Sequence, residues 1–289
     1  MIKNYDENDQ KADKDLVNYN TVRVPALRII YQKIGEDGGS HNVSTLRSTL
    51  APDDDQHLES CLKYLRAIDL IDRPEDRVVS VVNRDVLPDI SFELRLLLHI
   101  NLQPYPQDHL RKAQDVAFDT ASRTLQRDLL ETNLKGEVDY INWNRTKINA
   151  WYRLMEGIGV LSFADSRELI LSPRPVLLYK LLETFRDTEN STDFGAAIPW
   201  IEDHFMSALN TRPGTPRLHQ GITDTLQVLI DEDLLSVRGM SDARHEIELP
   251  STQSRQEEPT VTEFELHGWP NNPPASKRHL FDRFMEGAL

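Results

Sequence analysis

The sequence contains one cysteine, Cys61, among its 289 residues. A single thiol cannot form an internal disulfide or a multi-thiolate zinc site. Long apolar runs are also missing, since no stretch approaches the roughly 18 apolar residues that a membrane-spanning helix requires. The start of the chain, MIKNYDENDQKADKD, is charged where a signal peptide would be apolar. We therefore expect a cytoplasmic protein that does not bind membranes.

The common catalytic and phosphate-binding motifs are missing as well. The loop GEDGGSH (35–41) lacks the lysine and the following serine or threonine of a nucleotide-binding loop. Asp89, Glu93 and Arg95 resemble the acidic pair and basic residue of metal-dependent nucleases, but the two acids lie one turn apart on a single predicted helix. The segment EDHF (202–205) has no second histidine one turn away, as a zinc-binding helix requires. The sequence predicts that the protein is not an enzyme and that it binds no metal and no cofactor.

Lysine is scarce and aspartate is abundant. The chain has 10 Lys against 23 Arg and 27 Asp against 20 Glu, and its formal net charge is −14. This charge argues against general affinity for nucleic acid, because phosphate binding depends on clustered lysine and arginine. The same balance suits a salt-rich cytoplasm, where about 1 M salt screens self-repulsion to a Debye length of about 3 Å. Under that hypothesis, the local charge of each surface decides whether nucleic acid binds.

Three segments repeat one apolar pattern: LKYLRAIDLID (62–72), YRLMEGIGVLS (152–162) and LQVLIDEDLLS (226–236). Each continues a stripe of apolar residues at i, i+4 and i+7 and ends in an apolar pair, which predicts a helix with one buried face. A short run, a turn rich in Pro, Gly or Asp, and a second run then indicate a β-hairpin. The stripes are Leu58, Leu62 and Leu65; Ile148, Tyr152 and Met155; and Ile222, Leu226 and Leu229.

Two further helices precede the first of these segments. VPALRIIYQKIG (24–35) is amphipathic, and Ser44 is placed to cap the short helix VSTLRSTL (43–50). The order helix, short helix, helix and hairpin resembles the winged-helix variant of the helix-turn-helix, in which three helices form a small core and a two-stranded wing closes it. We therefore expect a mainly α protein with small β-hairpin wings, arranged as tandem winged-helix (helix-turn-helix) domains.

The pattern predicts three such domains. The first spans 21–88. The second spans 89–175, opens with SFELRLLLHINLQ (91–103) and carries a long helical insertion at 107–134. The third spans 176–250. Winged-helix domains bind either DNA or other proteins, so the third helix of each domain carries the functional information.

The third helix of the first domain is acidic at its start. It begins PDDDQHLESC (52–61), with Asp53, Asp54, Asp55 and Glu59 and no basic residue. Carboxylates there repel phosphates, whereas they suit the positive end of a helix dipole. We expect this domain to face other protein subunits.

The corresponding helix of the second domain is basic. The segment NWNRTKINAWYR (142–153) contains no acid. With the apolar stripe in the core, Arg145 and Asn149 fall on the opposite side, where asparagine can pair with adenine and arginine with guanine. The alternative is an ordinary solvated helix whose Trp143 and Trp151 pack locally. The candidate DNA contacts are Asn142, Asn144, Arg145, Lys147, Asn149 and Arg153.

The third domain offers a second acid-free stretch, NTRPGTPRLHQGIT (210–223). Thr215 is placed as the cap and Pro216 in the first helical turn, which predicts exposed Arg217 and Gln220 at the helix entrance. Arg238 and Arg244 of the predicted wing are candidates for a phosphate or the minor groove. A polar loop is the alternative interpretation. The candidate DNA contacts here are Arg212, Arg217, Gln220 and Arg238.

Both ends of the chain are predicted to lie outside the three domains. Residues 1–20 are polar and are expected to be a disordered tail. STQSRQEEPT (251–260) resembles a linker, and the rest of 251–289 ends in a helix with Leu280, Phe281, Phe284 and Met285 on one face. That helix either docks into a groove of a partner subunit or folds back onto its own chain.

The sequence resembles the DpdG proteins in its three winged-helix-like units, in the segment VPALRIIYQKI (24–34) that begins the first unit, and in its length. The DpdG proteins are accessory components encoded with prokaryotic systems that insert 7-deazaguanine derivatives into DNA. The resemblance implies a non-catalytic DNA-binding or adaptor subunit of a DNA-modification or restriction assembly that acts in phage defence. Two alternatives are a structural winged-helix adaptor of a chromosome-organising complex and a transcription regulator. The expected partners are DNA, and protein subunits bound through the first domain and the C-terminal tail.

Overall fold

The computed structural model describes residues 15–36, 39–50, 55–75, 78–82, 87, 90–163, 167–210, 217–239, 247–252 and 259–268. The predicted C-terminal helix and residues 1–14 of the predicted tail lie outside these residues. Disorder is wrong for 15–20, because Leu16–Asn18 form a 3₁₀ turn in which Leu16 and Val17 are buried. These two apolar side chains pack into a core, whereas the side chains of a disordered polar tail would be exposed to solvent.

The described residues belong to two compact units. One comprises those within Met1–Ala113 and Leu134–Ile158, and the other those within Gln114–Asn133 and Gly159–Leu289. The predicted second domain, 89–175, contributes residues to both units.

The described residues are mainly helical with small sheets, which confirms the predicted class at that level. The helices are α1 (Val24–Gly35), α2 (Val43–Leu50), α3 (Asp55–Ala67), α4 (Phe92–Asn101), α5 (His109–Phe118), α6 (Arg127–Glu137), α7 (Arg145–Ile158), α8 (Pro175–Glu189), α9 (Phe194–His204) and α10 (Gln220–Asp231).

Twelve short strands are found within the described ranges. They are β1 (Ser40–Asn42), β2 (Ile71–Glu75), β3 (Val78–Val81), β4 (Thr124–Gln126), β5 (Ser162–Phe163), β6 (Glu168–Ile170), β7 (Leu209–Asn210), β8 (Arg217–Leu218), β9 (Leu235–Arg238), β10 (Ile247–Glu248), β11 (Thr260–Val261) and β12 (Glu263–Leu266).

The first 70 or so residues of the described chain follow the predicted order of helices and hairpin. The helices α1, α2 and α3 pack on one another, and β1 joins the hairpin to give the antiparallel order β1-β3-β2. The helix stripe at Leu58, Leu62 and Leu65 is buried as predicted. Asn42 caps α2, because its Oδ1 accepts hydrogen bonds from the backbone N–H and the hydroxyl of Ser44, so the predicted capping role of Ser44 is wrong.

The predicted helical insertion at 107–134 is interrupted by a strand. α5 ends at Phe118, and β4 follows before α6 begins. The turn between them is held by side-chain hydroxyls, since Thr120 Oγ1 accepts from the N–H of Ser122 and Ser122 Oγ accepts from the N–H of Thr124. Such local bonds compete with helix formation. β4 then joins the predicted hairpin to give the antiparallel order β4-β6-β5.

The hairpin predicted after α10 is wrong in its pairing. β9 pairs antiparallel with β12, and Val237 lies opposite Phe264. An isolated bridge between Asp193 and Glu263 lies on the other side of β12. Phe264 is buried, with its ring centroid 6.3 Å from that of Phe185, which favours this pairing over a local hairpin. The segment predicted as a linker and tail therefore contains β12.

A second small sheet lies in the same unit, with the order β11-β10-β8-β7. β10, the run that the sequence assigns to the wing hairpin, pairs parallel with β8 and antiparallel with β11. β11 also lies in the range predicted as a linker.

The three repeated segments share one backbone device at the end of their helices. Asp69, Gly159 and Asp233 each precede an apolar pair and have positive φ angles of 62°, 100° and 57°. After Asp69 and Asp233, the next N–H donates to the carbonyl five residues earlier, from Leu70 to Leu65 and from Leu234 to Leu229. This left-handed ending turns the chain sharply and buries the apolar pair at the start of the next strand.

Candidate nucleic-acid interface

The start of α7 is fixed by an asparagine that the sequence singled out for DNA contact. Asn144 Oδ1 accepts a hydrogen bond from the backbone N–H of Lys147 at 3.0 Å, which satisfies one of the free donors at the helix N-terminus. Asn144 is exposed and therefore combines a capping role with an amide NH₂ group that still has donor capacity.

One face of α7 is anchored in its own unit by large apolar side chains. Ile148, Tyr152 and Met155 are buried, as the predicted stripe requires. Trp151 is fully buried and its Nε1–H donates to the carbonyl of Leu110 at 3.1 Å. The helix packs against α1, α4 and the 3₁₀ turn. These contacts hold α7 in place, so its outer face is rigidly presented.

The outer face of α7 is polar and free of acid from Asn142 to Met155. Arg145, Asn149 and Arg153 follow one another at intervals of four residues and so share one side of the helix. Arg145 and Arg153 are exposed and Asn149 is half-buried. Among the described residues, no carboxylate pairs with Arg145 or Arg153. Asn142, Asn144 and Thr146 extend the exposed surface at the N-terminal end.

Lys147 does not belong to this exposed face. Its side chain is 15% exposed, and its Nζ lies 3.9 Å from Oδ2 of Asp15, beside the 3₁₀ turn. Lys147 as a DNA contact stays a prediction, and Asp15 is a carboxylate partner that the sequence pattern does not indicate.

A buried histidine fastens that N-terminal segment. His109 Nε2 accepts a hydrogen bond from the N–H of Val17 at 3.2 Å, and its Nδ1 donates to the carbonyl of Pro106 at 2.9 Å. Gln107 Oε1 accepts from the N–H of Leu16. Burial lowers the pKa of His109, which keeps the ring neutral and able to accept from Val17. No sequence pattern indicates this role, because the partners lie about 90 residues apart.

Arg23 lies beside the exposed face of α7 and is missing from the sequence-predicted contacts. It precedes α1, and its Nη1 donates to the carbonyls of Asn20 and Val22. Burial first, and then the positive charge of Arg153, lower the pKa of Arg23. The two guanidinium groups are therefore close enough to repel each other.

The helix start predicted for the third domain is wrong. α10 begins at Gln220 and not at Pro216, and Arg217 lies in β8. His219 caps the helix, since its Nδ1 accepts from the N–H of Gly221 at 3.1 Å. Pairing of β8 with β7 and β10 holds Arg217 and Leu218 in an extended conformation. Thr215 and Pro216 lie outside the described residues.

The described candidates of the third domain all have partners in their own unit. Arg217 pairs with Glu248 at 3.2 Å, and Arg238 pairs with Glu265 at 3.1 Å. Gln220 Nε2 donates to Asp224 Oδ1 and to the carbonyl of Ser251. These acids lower the positive potential that a phosphate would meet. Arg212 and Arg244 lie outside the described residues, as do Asp53 and Asp54 of the first domain.

Comparison of the chain with family models, with curated proteins and with solved structures finds no match. Within the described ranges, every helix is too short or too polar to cross a lipid bilayer. In the same part of the chain, no group of three or more His, Cys, Asp or Glu side chains is arranged to hold a metal ion.

Proposed function

We propose that the chain consists of tandem winged-helix domains. Two series of elements support this: α1, β1, α2, α3, β2, β3 and α5, β4, α6, α7, β5, β6 have the same order along the chain. Their sheets also share one order, β1-β3-β2 and β4-β6-β5. Around α8, α9 and α10, the bridge at Asp193, β12 and β9 take corresponding positions. In this scheme α7 is the third helix of the second domain.

In this proposal, α7 is the helix through which the protein binds duplex DNA. The observation that carries it is the surface of α7, where exposed Arg145 and Arg153 have no described acidic partner and stand beside exposed asparagines. In helix-turn-helix proteins, the N-terminal residues of the reading helix meet base edges in the major groove. Arg145 and Asn142 lie at that end of α7, and arginine and asparagine are the side chains that pair best with guanine and adenine.

The assembly role that fits this interface is that of a non-catalytic DNA-recognition or adaptor subunit. The resemblance of the sequence to the DpdG proteins is the reason for proposing that such a subunit belongs to a prokaryotic DNA-modification or restriction system. The acidic net charge of −14 is consistent with a recognition subunit, because it limits non-specific DNA binding by surfaces other than the basic helix α7.

A mobility-shift assay with a short duplex at low salt tests the DNA interface. We expect the wild-type protein to bind and Arg145→Ala to weaken binding by about 10-fold, since one bidentate base contact contributes about 1–3 kcal/mol. Arg186→Ala is the matched control, because Arg186 is a partly exposed arginine on α8 that pairs with Asp187. The proposed function would be ruled out if the wild-type protein did not bind the duplex, or if Arg145→Ala and Arg186→Ala bound it with equal affinity.

A second candidate function is a protein adaptor without DNA binding. Leu102 and Tyr105 are 57% and 68% exposed, and they lie in one loop between α4 and α5. Exposed apolar and aromatic residues in one place are typical of protein interfaces. If the wild-type protein ignores DNA but co-purifies with host subunits that Tyr105→Ser no longer retains, the adaptor function is favoured.

A further inference from the structure

Arg23 presents a positive charge that is positioned but not neutralised. Its Nη1 donates to two backbone carbonyls, those of Asn20 and Val22, at 2.7 Å each. Carbonyl groups fix the guanidinium plane, but they carry no net charge. Within the described ranges, no carboxylate pairs with Arg23. The remaining N–H groups of this fixed fork suit an anion with several oxygen acceptors.

The packing of α7 on α1 brings Arg153 next to this fork. A Cβ atom on Gly157 would lie 2.7 Å from Cγ2 of Val24, so the two helices approach closely at the start of α1. Arg153 precedes Gly157 by one helical turn and lies on the same side of α7. The electrostatic effect of Arg153 on Arg23, which lowers the pKa of Arg23, agrees with this placement. Two like charges held together in this way gain stability when an anion binds between them.

We propose that Arg23 and Arg153 jointly bind one phosphate of the DNA backbone beside the bases that the start of α7 contacts. The inference rests on the proposed function. Arg153 follows Arg145 by eight residues, or about 12 Å along the helix axis. In helix-turn-helix proteins the N-terminal residues of the reading helix meet base edges in the major groove. Side chains further along the helix, such as Arg153 and with it Arg23, then lie towards the phosphates that border the groove.

The salt dependence of DNA binding measures this phosphate contact directly. Each neutralised phosphate contributes about 0.9 to the negative slope of log K against log salt concentration. We expect Arg153→Gln and Arg23→Gln each to lower the steepness of that slope by up to about 0.9 between about 50 and 200 mM salt, measured by fluorescence anisotropy with a labelled duplex. Because the two side chains share one phosphate, we expect the slope of the double variant to fall by about as much as that of the single variant with the larger effect.

The choice of substitutions separates charge from folding. Glutamine at position 23 keeps an N–H donor for the Asn20 and Val22 carbonyls, and Arg23→Lys keeps the charge and is expected to retain the wild-type slope. Arg186→Gln is the control in the other unit. If Arg23→Gln lowers the melting temperature, the salt-dependence test of that variant is replaced by NMR of the Arg23 side-chain Nε–Hε group in the wild-type protein. The chemical shift of this group is expected to change when duplex DNA is added.

Two results would overturn the inference, and they differ from failure of the proposed function. A wild-type slope in Arg23→Gln, with Arg145→Ala still weakened, leaves α7 as a DNA-reading helix and removes Arg23 from the interface. An unshifted Arg23 signal in the DNA complex leads to the same conclusion. A wild-type protein that does not bind DNA removes the proposed function and the phosphate contact together.

Discussion

His219 is a buried titratable residue whose neutral form holds an element in place. Its Nδ1 accepts from the N–H of Gly221 at the start of α10, and its ring lies 4.9 Å from that of Phe118. Burial lowers the pKa of His219 to about 4, while backbone groups of Ser122 and Thr120 and the charge of Asp224 act in the opposite direction. An imidazolium could not accept the Gly221 hydrogen bond, so the cap exists only in the neutral form.

This depressed pKa predicts acid sensitivity of folding. Because the unfolded His219 has a pKa near 6.5, the unfolded state binds more protons below that value, and stability falls as pH drops from about 6.5 to about 4. At pH 5 we expect a loss of about 2 kcal/mol relative to pH 7, measured by urea unfolding. His219→Asn keeps a capping acceptor and removes the titration, so its loss should be smaller. His109 acts in the same direction and remains in both proteins. Equal pH dependence of the two proteins would exclude His219 as the cause.

Close approach between elements fixes the position of α10. A Cβ atom on Gly221 would lie 1.8 Å from the carbonyl oxygen of Leu171 and 3.2 Å from Cα of Ser172. Ser172 strengthens the same contact, since its Oγ donates to the carbonyl of Gly221 at 3.0 Å. The first turn of α10 therefore lies directly on the backbone at 171–172, which only a glycine permits.

Two glycine substitutions test this contact. Gly221→Ala should destabilise the protein by about 3 kcal/mol, because the obstructing atoms are backbone and cannot move cheaply. Gly136→Ala is the matched control on α6, where an added Cβ meets no atom within 4 Å. There alanine should raise the free energy of unfolding by about 0.5 kcal/mol through its higher helix propensity. A neutral Gly221→Ala variant would contradict the close approach.

What the sequence predicts at the level of elements depends on the range of the interactions involved. The buried stripes of α3, α7 and α10 follow from local helical periodicity, and the exposed side of α7 follows from the same period. The pairing of β9 with β12 depends on Phe264 reaching a core built by α8 and α9, and no local pattern contains that information. The ion pair of Lys147 with Asp15 and the effect of Arg153 on Arg23 could not be predicted for the same reason, since each joins residues from distant parts of the chain.

The charge of the whole molecule sets its response to salt. A net charge of −14 opposes compaction through self-repulsion. Most of the described ion pairs have at least one exposed side chain, so each contributes little to stability. Screening should therefore stabilise the folded chain more by reducing repulsion than it destabilises the chain by weakening these pairs.

We expect the urea midpoint of unfolding to rise as KCl increases from about 0.1 to 1 M. A variant with exposed Asp231 and Asp233 replaced by asparagine would show a smaller rise, because two negative charges are removed. A midpoint that stays constant or falls across this range would contradict adaptation to a salt-rich cytoplasm.

The pairing of β9 with β12 also affects how the chain folds during synthesis. β9 is complete at Arg238, but its partner ends at Leu266. Until residues through Leu266 have left the ribosome, β9 cannot pair with β12. An unpaired strand edge can form hydrogen bonds with other chains and so promotes aggregation. A fragment cut at residue 250, where sequence patterning ends the third domain, would keep that edge open permanently. Fragments that contain the third domain should therefore extend past Leu266 to avoid aggregation.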